Sequence, residues 1–118
     1  TIIAANNYAN TLIHLERIEE SKALLRRTVP VARRVLGEDD RITLTMSWIY
    51  GEALYEDSAA TLDDLREAVT TFEDLERIAR RVLGGAHPTT LGIEHNLRKS
   101  RAALAARKTP SPPPARSV

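Results

Sequence analysis

The sequence has no cysteine and few aromatic residues, and both features restrict its fold and its chemistry. Without cysteine the chain can form neither a disulfide nor a thiolate metal site. Phe, Trp and Tyr make up 4% of the residues, whereas hydrophobic residues of all kinds make up 42%. Because aliphatic and small side chains must fill the interior, the composition favours closely packed helices over a β-sandwich.

The sequence also lacks an excess of charge and a long apolar run. Its 17 basic and 16 acidic residues leave a net charge of +1, which provides no electrostatic basis for binding nucleic acid or an anionic membrane. No apolar run approaches the roughly 18 residues that a membrane-spanning helix needs, and no segment resembles a signal peptide. We therefore expect a soluble, cytoplasmic protein that binds neither nucleic acid nor membrane.

One six-residue string, Ala-Arg-Arg-Val-Leu-Gly, occurs at 32–37 and again at 79–84. The two copies lie 47 residues apart (79 − 32), and a Thr-Leu pair follows each of them. An identity of this length at a fixed offset is typical of repeat proteins. We interpret each copy as the last turn of a helix. Its alanine and valine should face the interior, its arginines should face solvent, and its glycine should end the helix.

Hydrophobic periodicity predicts five helices, over about 1–15, 18–36, 41–56, 62–83 and 88–107. In the second and fourth helices, apolar or small residues recur at alternating steps of three and four, which is typical of an amphipathic helix. These positions are Ile18, Ser21, Leu25, Thr28, Ala32 and Val35 in the second helix and Leu65, Ala68, Phe72, Leu75, Ala79 and Val82 in the fourth.

Short local signals predict where the helices begin and bend. Asp39-Asp40 predicts an N-cap for the third helix. Thr61 with Asp64 resembles a capping box at the start of the fourth, and Pro88 suits the first turn of the fifth. Pro30 lies inside the second helix, where it cannot donate a backbone hydrogen bond, so we predict a kink around 26–30.

The odd-numbered helices repeat with a different offset from the even-numbered ones. Tyr8 aligns with Tyr50 at an offset of 42 (50 − 8), so five residues (47 − 42) are inserted near 57–64. We expect an all-α, right-handed superhelical solenoid of antiparallel helix pairs. It should comprise about two and a half repeats over 1–107, with a disordered proline-rich tail at 108–118. We also expect this to be the C-terminal end of a longer array.

Three segments carry a resemblance to a known repeat family: Asn6-Asn7-Tyr8-Ala9, Arg34-Val35-Leu36-Gly37 and His87-Pro88-Thr89-Thr90-Leu91. Together they resemble the kinesin-light-chain type of tetratricopeptide repeat. The resemblance implies a non-enzymatic scaffold whose odd-numbered helices line a concave groove for an extended peptide or partner protein. The groove positions it implies are Asn6, Asn10 and Ile13, then Trp48, Glu52 and Tyr55, then His95, Lys99 and Ala102.

Several interpretations of these groove positions stay open. Asparagine amides can satisfy a peptide backbone with both a donor and an acceptor, and Trp48 offers a rigid apolar contact. Alternatively, the positions are exposed polar residues on a solvated face, with Trp48 packed between repeats. The chain would then be a structural or regulatory module of a larger protein, without a groove ligand of its own. A third possibility is self-association through an open N-terminal flank.

Nothing in the sequence predicts catalysis, a cofactor or a metal. His14, His87 and His95 lack the spacing of a local metal site, and no glycine-rich phosphate loop is present. The arginine pairs at 26–27, 33–34 and 80–81 share their helices with acidic residues. We therefore expect them to form intramolecular ion pairs rather than to bind nucleic acid.

Overall fold

The structure, a computed structural model, describes residues 2–14 and 17–108, without the side chains of residues 3 and 12–14. This part of the chain contains five helices and no strand, which confirms the all-α prediction. The helices are α1 (Ile2–His14), α2 (Ile18–Val35), α3 (Arg41–Glu56), α4 (Leu62–Val82) and α5 (Pro88–Lys108). α5 ends at Lys108, which is the first residue of the predicted tail. The rest of that tail, 109–118, lies outside the described residues.

The predicted N-terminal caps are both present. The Asp40 carboxylate accepts a hydrogen bond from the Ile42 backbone N–H at 2.8 Å, which caps α3. At the start of α4 the Thr61 hydroxyl accepts from the Asp64 N–H at 3.1 Å, and the Asp64 carboxylate accepts from the Thr61 N–H at 3.2 Å. This reciprocal pair is the predicted capping box, and a cap of this kind stabilises a helix by about 1 kcal/mol.

Pro30 does not end α2, which runs without interruption from Ile18 to Val35. Two residues before Pro30, the Thr28 hydroxyl donates to the Leu24 carbonyl at 2.7 Å. A side-chain bond of this kind often accompanies bending of a helix. The kink that we expect at 26–30 stays a prediction.

The repeated six-residue string ends α2 and α4 as expected. Gly37 and Gly84 have φ angles of +94° and +92°, in the left-handed region that glycine adopts without steric cost. Ala32 and Ala79 are fully buried. The arginines of both copies, residues 33, 34, 80 and 81, are exposed as predicted.

The prediction that the valines of this string face the interior is wrong. Val35 is 63% exposed and Val82 is 42% exposed. Each valine is the last residue of its helix, so it lies beyond the last turn that a neighbouring helix covers. The alternating steps of three and four therefore describe the buried stripe up to the alanine but not beyond it.

The five helices form two layers. Each helix packs against the next one along the chain, and α3 also contacts α1 and α5. In the described structure, no Cα atom of α2 lies within 8 Å of one in α4. The odd-numbered helices are therefore close neighbours in one layer, whereas the even-numbered helices stand further apart in the other. The molecule measures 62 × 32 × 20 Å, an elongated shape typical of stacked repeats.

Small residues allow the helices to approach closely. A Cβ atom added to Gly51 in α3 would lie 2.7 Å from the Phe72 ring of α4. The fully buried Ser21 hydroxyl in α2 donates to the Ala9 carbonyl of α1 at 3.1 Å. Larger side chains at these positions would push the helices apart.

The inserted loop between α3 and α4 is attached to the preceding repeat by a buried lysine. Lys22 of α2 is 4% exposed. Its Nζ lies 2.7 Å from the Glu19 carboxylate, 3.3 Å from Asp64 and 3.5 Å from Asp57. Asp57 and Asp64 stand at the two ends of the enlarged loop, and Ala60 between them is buried. Sequence analysis missed this contact because Lys22 interrupts the apolar stripe.

Candidate functional site

The expected groove residues lie on the exposed side of the odd-numbered helices, which we call the odd-helix face. Asn10, His95, Lys99 and Ala102 are exposed, whereas Asn6, Trp48, Glu52 and Tyr55 are half-buried. The side chain of Ile13 lies outside the described residues. By the repeat alignment, Asn10 on α1, Glu52 on α3 and Lys99 on α5 hold equivalent positions on helices that are direct neighbours.

Glu52 and Lys99 bring opposite charges to this face. Partial burial raises the pKa of Glu52, the Glu56 carboxylate raises it further, and the positive charge of Lys99 opposes both. Within the described residues, no ion pair of 4 Å or less joins Glu52 to Lys99. The two groups therefore sense each other's charge while each keeps hydrogen-bonding capacity for a ligand.

Tyr55 is held in place by neighbouring side chains. Its hydroxyl donates to the Asn96 side-chain oxygen at 2.6 Å, and the Asn96 amide nitrogen donates to the Gly92 carbonyl at 3.2 Å. The Tyr55 ring also meets Phe72 edge to face, with centroids 5.9 Å apart. Burial, followed by the Glu56 and Glu52 charges, raises the pKa of Tyr55, so the hydroxyl stays protonated. Tyr55 therefore links α3 to α5, and sequence analysis missed its partner Asn96.

Trp48 lies against α5, as in the alternative in which it packs between repeats. A Cβ atom on Gly92 would lie 2.6 Å from the Trp48 ring, so the indole covers the backbone of α5 at that point. The indole Nε1 is buried without a hydrogen-bond acceptor in the described structure. Asn6, at the equivalent position of α1, has a buried side-chain oxygen that accepts no hydrogen bond from the described residues. Buried polar atoms without a partner cost about 1–3 kcal/mol each.

A polar cluster that sequence analysis did not predict lies on the other side of α3. Arg26 Nε of α2 donates to the Tyr50 hydroxyl at 3.0 Å, and that hydroxyl donates to the Glu67 carboxylate of α4. Burial, together with the Glu67 contact, raises the pKa of Tyr50 to about 12. The cluster therefore connects α2, α3 and α4. Because Tyr50 is only 6% exposed, its role is structural.

The ion pairs expected for the arginine pairs form in part. Arg80 pairs with Glu76 at 3.1 Å and also with Glu94. Arg81 pairs with Asp39 at 2.5 Å. Arg26 is paired as well, but residues 27, 33 and 34 have no ion pair in the described part of the chain. The members of these three arginine pairs that have no ion pair among the described residues therefore all lie in the second half of α2.

Two other kinds of feature are absent from the described residues. No group of three or more His, Asp or Glu side chains there could hold a metal ion. No helix there is long and apolar enough to cross a membrane.

Comparison with known proteins identifies one repeat. The family model of the tetratricopeptide repeat matches residues 1–41, which span α1, α2 and the turn to α3. Neither the curated proteins nor the solved structures gave a significant match. The match supports a tetratricopeptide repeat protein, and with the five helices it supports a tetratricopeptide-like helical repeat fold. Such repeats generally mediate protein–protein interaction and are generally non-enzymatic.

Proposed function

We propose that the chain is a non-enzymatic interaction scaffold whose odd-helix face binds an extended peptide or a segment of a partner protein. The observation that supports this most directly is the spacing of the two layers. α3 contacts both α1 and α5 while α2 and α4 stand apart, which is the packing we expect of a stack that curves towards its odd-numbered side. A surface that curves inward can surround a ligand.

The chemistry of this face suits a peptide backbone. The Asn10 amide offers a donor and an acceptor, Glu52 offers an acceptor, and Lys99 offers a donor. Neighbouring helix axes lie about 8–10 Å apart, so the face spans about 20 Å from α1 to α5. An extended chain covers about 3.3 Å per residue, so about six residues of a peptide would cross all three helices.

A peptide selection experiment tests the proposal. A displayed library of random peptides is selected on the purified chain, and the affinities of the selected peptides are measured by titration calorimetry. The double variant Asn6→Ala, Asn10→Ala should weaken binding about tenfold or more, while the melting temperature falls by no more than a few degrees. A matched double variant in the layer of even-numbered helices, Arg66→Ala with Thr70→Ala on α4, should leave the affinity for the peptide unchanged. Selected peptides whose affinity the Asn6 and Asn10 substitutions do not alter would contradict the proposal.

We also propose the kinesin-light-chain-like subtype and a cytoplasmic location. The motifs around Asn6-Asn7 and His87-Pro88 support the subtype, and the near-neutral charge is compatible with the location. Microscopy of the tagged protein in its own cells would test the location, and exclusive enrichment in another compartment would contradict it.

A second candidate function is self-association through α1. Tyr8 is 54% exposed, whereas Tyr50, its equivalent in the next repeat, is 6% exposed. A second copy that covers α1 would bury the Tyr8 ring as α2 and α4 bury that of Tyr50. Light scattering over a wide concentration range should then show dimers that Tyr8→Ser weakens. A constant monomer mass at every concentration would rule this candidate out.

A further inference from the structure

A cavity of about 410 Å³ opens where α3, the end of α4 and the α4–α5 turn meet. We call it the α3–α4 cavity. Its volume lies within the roughly 300–1,000 Å³ of sites that hold small molecules. The walls are mainly apolar and include Leu44, Trp48, Val82 and Leu83. Val82 and Leu83 are 42% and 37% exposed, so folding leaves apolar surface here in contact with water.

One wall of the cavity is a single stripe of α3. Arg41, Leu44, Thr45 and Trp48 all line it, and their spacing of three, four and seven residues from Arg41 places them on one face of the helix. At 1.5 Å per residue, the stripe is about 10 Å long. It has the charged guanidinium of Arg41 at one end and the apolar indole of Trp48 at the other. A molecule with one charged end and one apolar end would match this arrangement.

The described residues leave one positive charge at this cavity without a partner. The Asp39 carboxylate, which also lines the cavity, is occupied by Arg81 at 2.5 Å. The Arg41 side chain is exposed, and it has neither an ion pair nor a side-chain hydrogen bond among the described residues. His87 Nδ1 accepts the Thr89 N–H at 3.1 Å, which leaves its other ring nitrogen available as a donor. The Arg41 guanidinium and this ring nitrogen are both donors, and together they fit an anion.

We propose that the α3–α4 cavity binds a small amphipathic carboxylate. The apolar body of the ligand packs against Leu44, Trp48 and Leu83, and its carboxylate forms a charge-assisted pair with Arg41. A guanidinium and a carboxylate can form two parallel hydrogen bonds, which selects the acid over an amine or an amide of the same shape. The ligand differs in chemistry from the peptide proposed for the odd-helix face, and the two surfaces share Trp48.

The internal repeat indicates that the site belongs to the second repeat. Val82 and Leu83, at the end of α4, have exposed counterparts in Val35 and Leu36 at the end of α2. The counterpart of Trp48 in the first repeat, however, is Asn6. An amide cannot provide the apolar surface of an indole, so the sequence places this wall beside α4 and not beside α2.

The test uses the fluorescence of Trp48, the single tryptophan of the chain. Cyclohexylacetate and its uncharged analogue cyclohexylacetamide are titrated against the purified chain. The acid should give a saturable change in Trp48 emission, and the amide should bind about tenfold more weakly or worse. Arg41→Gln should abolish the preference for the acid. Arg34→Gln is the matched control and should preserve that preference, because Arg34 is an exposed arginine of α2 that forms no ion pair with any described residue.

A second measurement keeps the proposal testable if the emission change is small. Nuclear magnetic resonance should show shifts of the Thr45 and Thr89 backbone amides on adding the acid. Leu83→Ser, at a partly exposed position, should weaken binding of the acid in both the fluorescence and the magnetic resonance measurements, without loss of helical circular dichroism. Equal affinity for acid and amide in the unaltered chain would overturn the proposal. A preference for the acid that Arg41→Gln leaves unchanged would also overturn it. The same holds if neither fluorescence nor magnetic resonance shows a saturable response to the acid.

Discussion

Replacement of the buried Lys22 by methionine should destabilise the fold through the inserted loop. Lys22 keeps its ammonium group beside three carboxylates, of which Asp57 and Asp64 have side chains that are 13% and 17% exposed. Glu19 is 74% exposed, so its pairing with Lys22 contributes little. In Lys22→Met, the two mostly enclosed aspartates would keep their negative charges without the Lys22 cation.

The size of the effect follows from this geometry. Breaking a buried ion pair typically costs about 3–5 kcal/mol, because one charge is left uncompensated. Asp57 and Asp64 retain some water and keep hydrogen bonds from the Ala59 and Thr61 N–H groups. We therefore expect Lys22→Met to lower the free energy of unfolding by about 2–3 kcal/mol, below the full cost of a buried pair.

The dependence on pH gives this prediction a sign. The Ala59 N–H, and then Lys22, lower the pKa of Asp57 below its ordinary value of 3.8. Burial alone would raise the pKa of Asp64, but the Thr61 N–H and Lys22 outweigh it and leave the pKa lowered. Stability from both aspartates is therefore present above pH 3.8 and is lost as the pH falls through their folded-state pKa values. The cost of Lys22→Met should shrink over the same range.

Urea unfolding followed by circular dichroism, at neutral pH and in acid, measures both effects. Arg66→Met is the matched control, because Arg66 pairs with Asp63 at a surface where both side chains are more than half exposed, so its cost should be below about 1 kcal/mol. Lys22→Met combined with Asp57→Asn and Asp64→Asn should recover most of the lost stability. A cost no larger than that of the control, or one that does not change in acid, would refute the reasoning.

Two further substitutions test the packing and the charge of α3. Gly51→Ala should lower the free energy of unfolding by about 1–3 kcal/mol in thermal or urea unfolding, because the fully buried Phe72 ring blocks the new methyl group. This loss should outweigh the higher helix propensity of alanine. Gly85→Ala is its control, since that methyl group meets a flexible arginine; equal effects would contradict the packing argument. Glu52→Gln should slightly raise the melting temperature at neutral pH, because burial raises the pKa of Glu52 and its ionised form is disfavoured. The gain should vanish as the pH falls through that pKa, and a stabilisation that persists in acid would argue against this cause.

The helices themselves could be predicted because their signals are local. Each prediction of a helix end used one or two residues, such as Asp40, the Thr61–Asp64 capping box or Gly37, and all of these have the expected geometry. Periodicity identified most of the buried stripe for the same reason. It failed at Val35, because whether the last turn of a helix is covered depends on where the next helix goes.

The candidate site could be predicted only in outline. The repeat alignment placed Asn10, Glu52 and Lys99 at equivalent positions, but it did not show that Tyr55 is bonded to Asn96. It left open whether Trp48 is a free contact, and the structure places its ring on Gly92 of α5. These are contacts between residues about 41 to 44 positions apart, and a repeat period does not state which side chains meet across it.

The amino-acid sequence by itself determined the helical class and the helix ends, because each depends on residues within a few positions of one another. It also determined the repeat offsets, because these follow from comparing the sequence with itself. Tertiary structure alone decided which polar groups became buried. Lys22 joins Asp57 and Asp64, and Arg26 joins Tyr50. Arg41, at the mouth of an apolar cavity, has no side-chain partner in the part of the chain that the structure describes. Such pairings depend on how closely the helices of successive repeats approach, and small residues at their crossings set that distance.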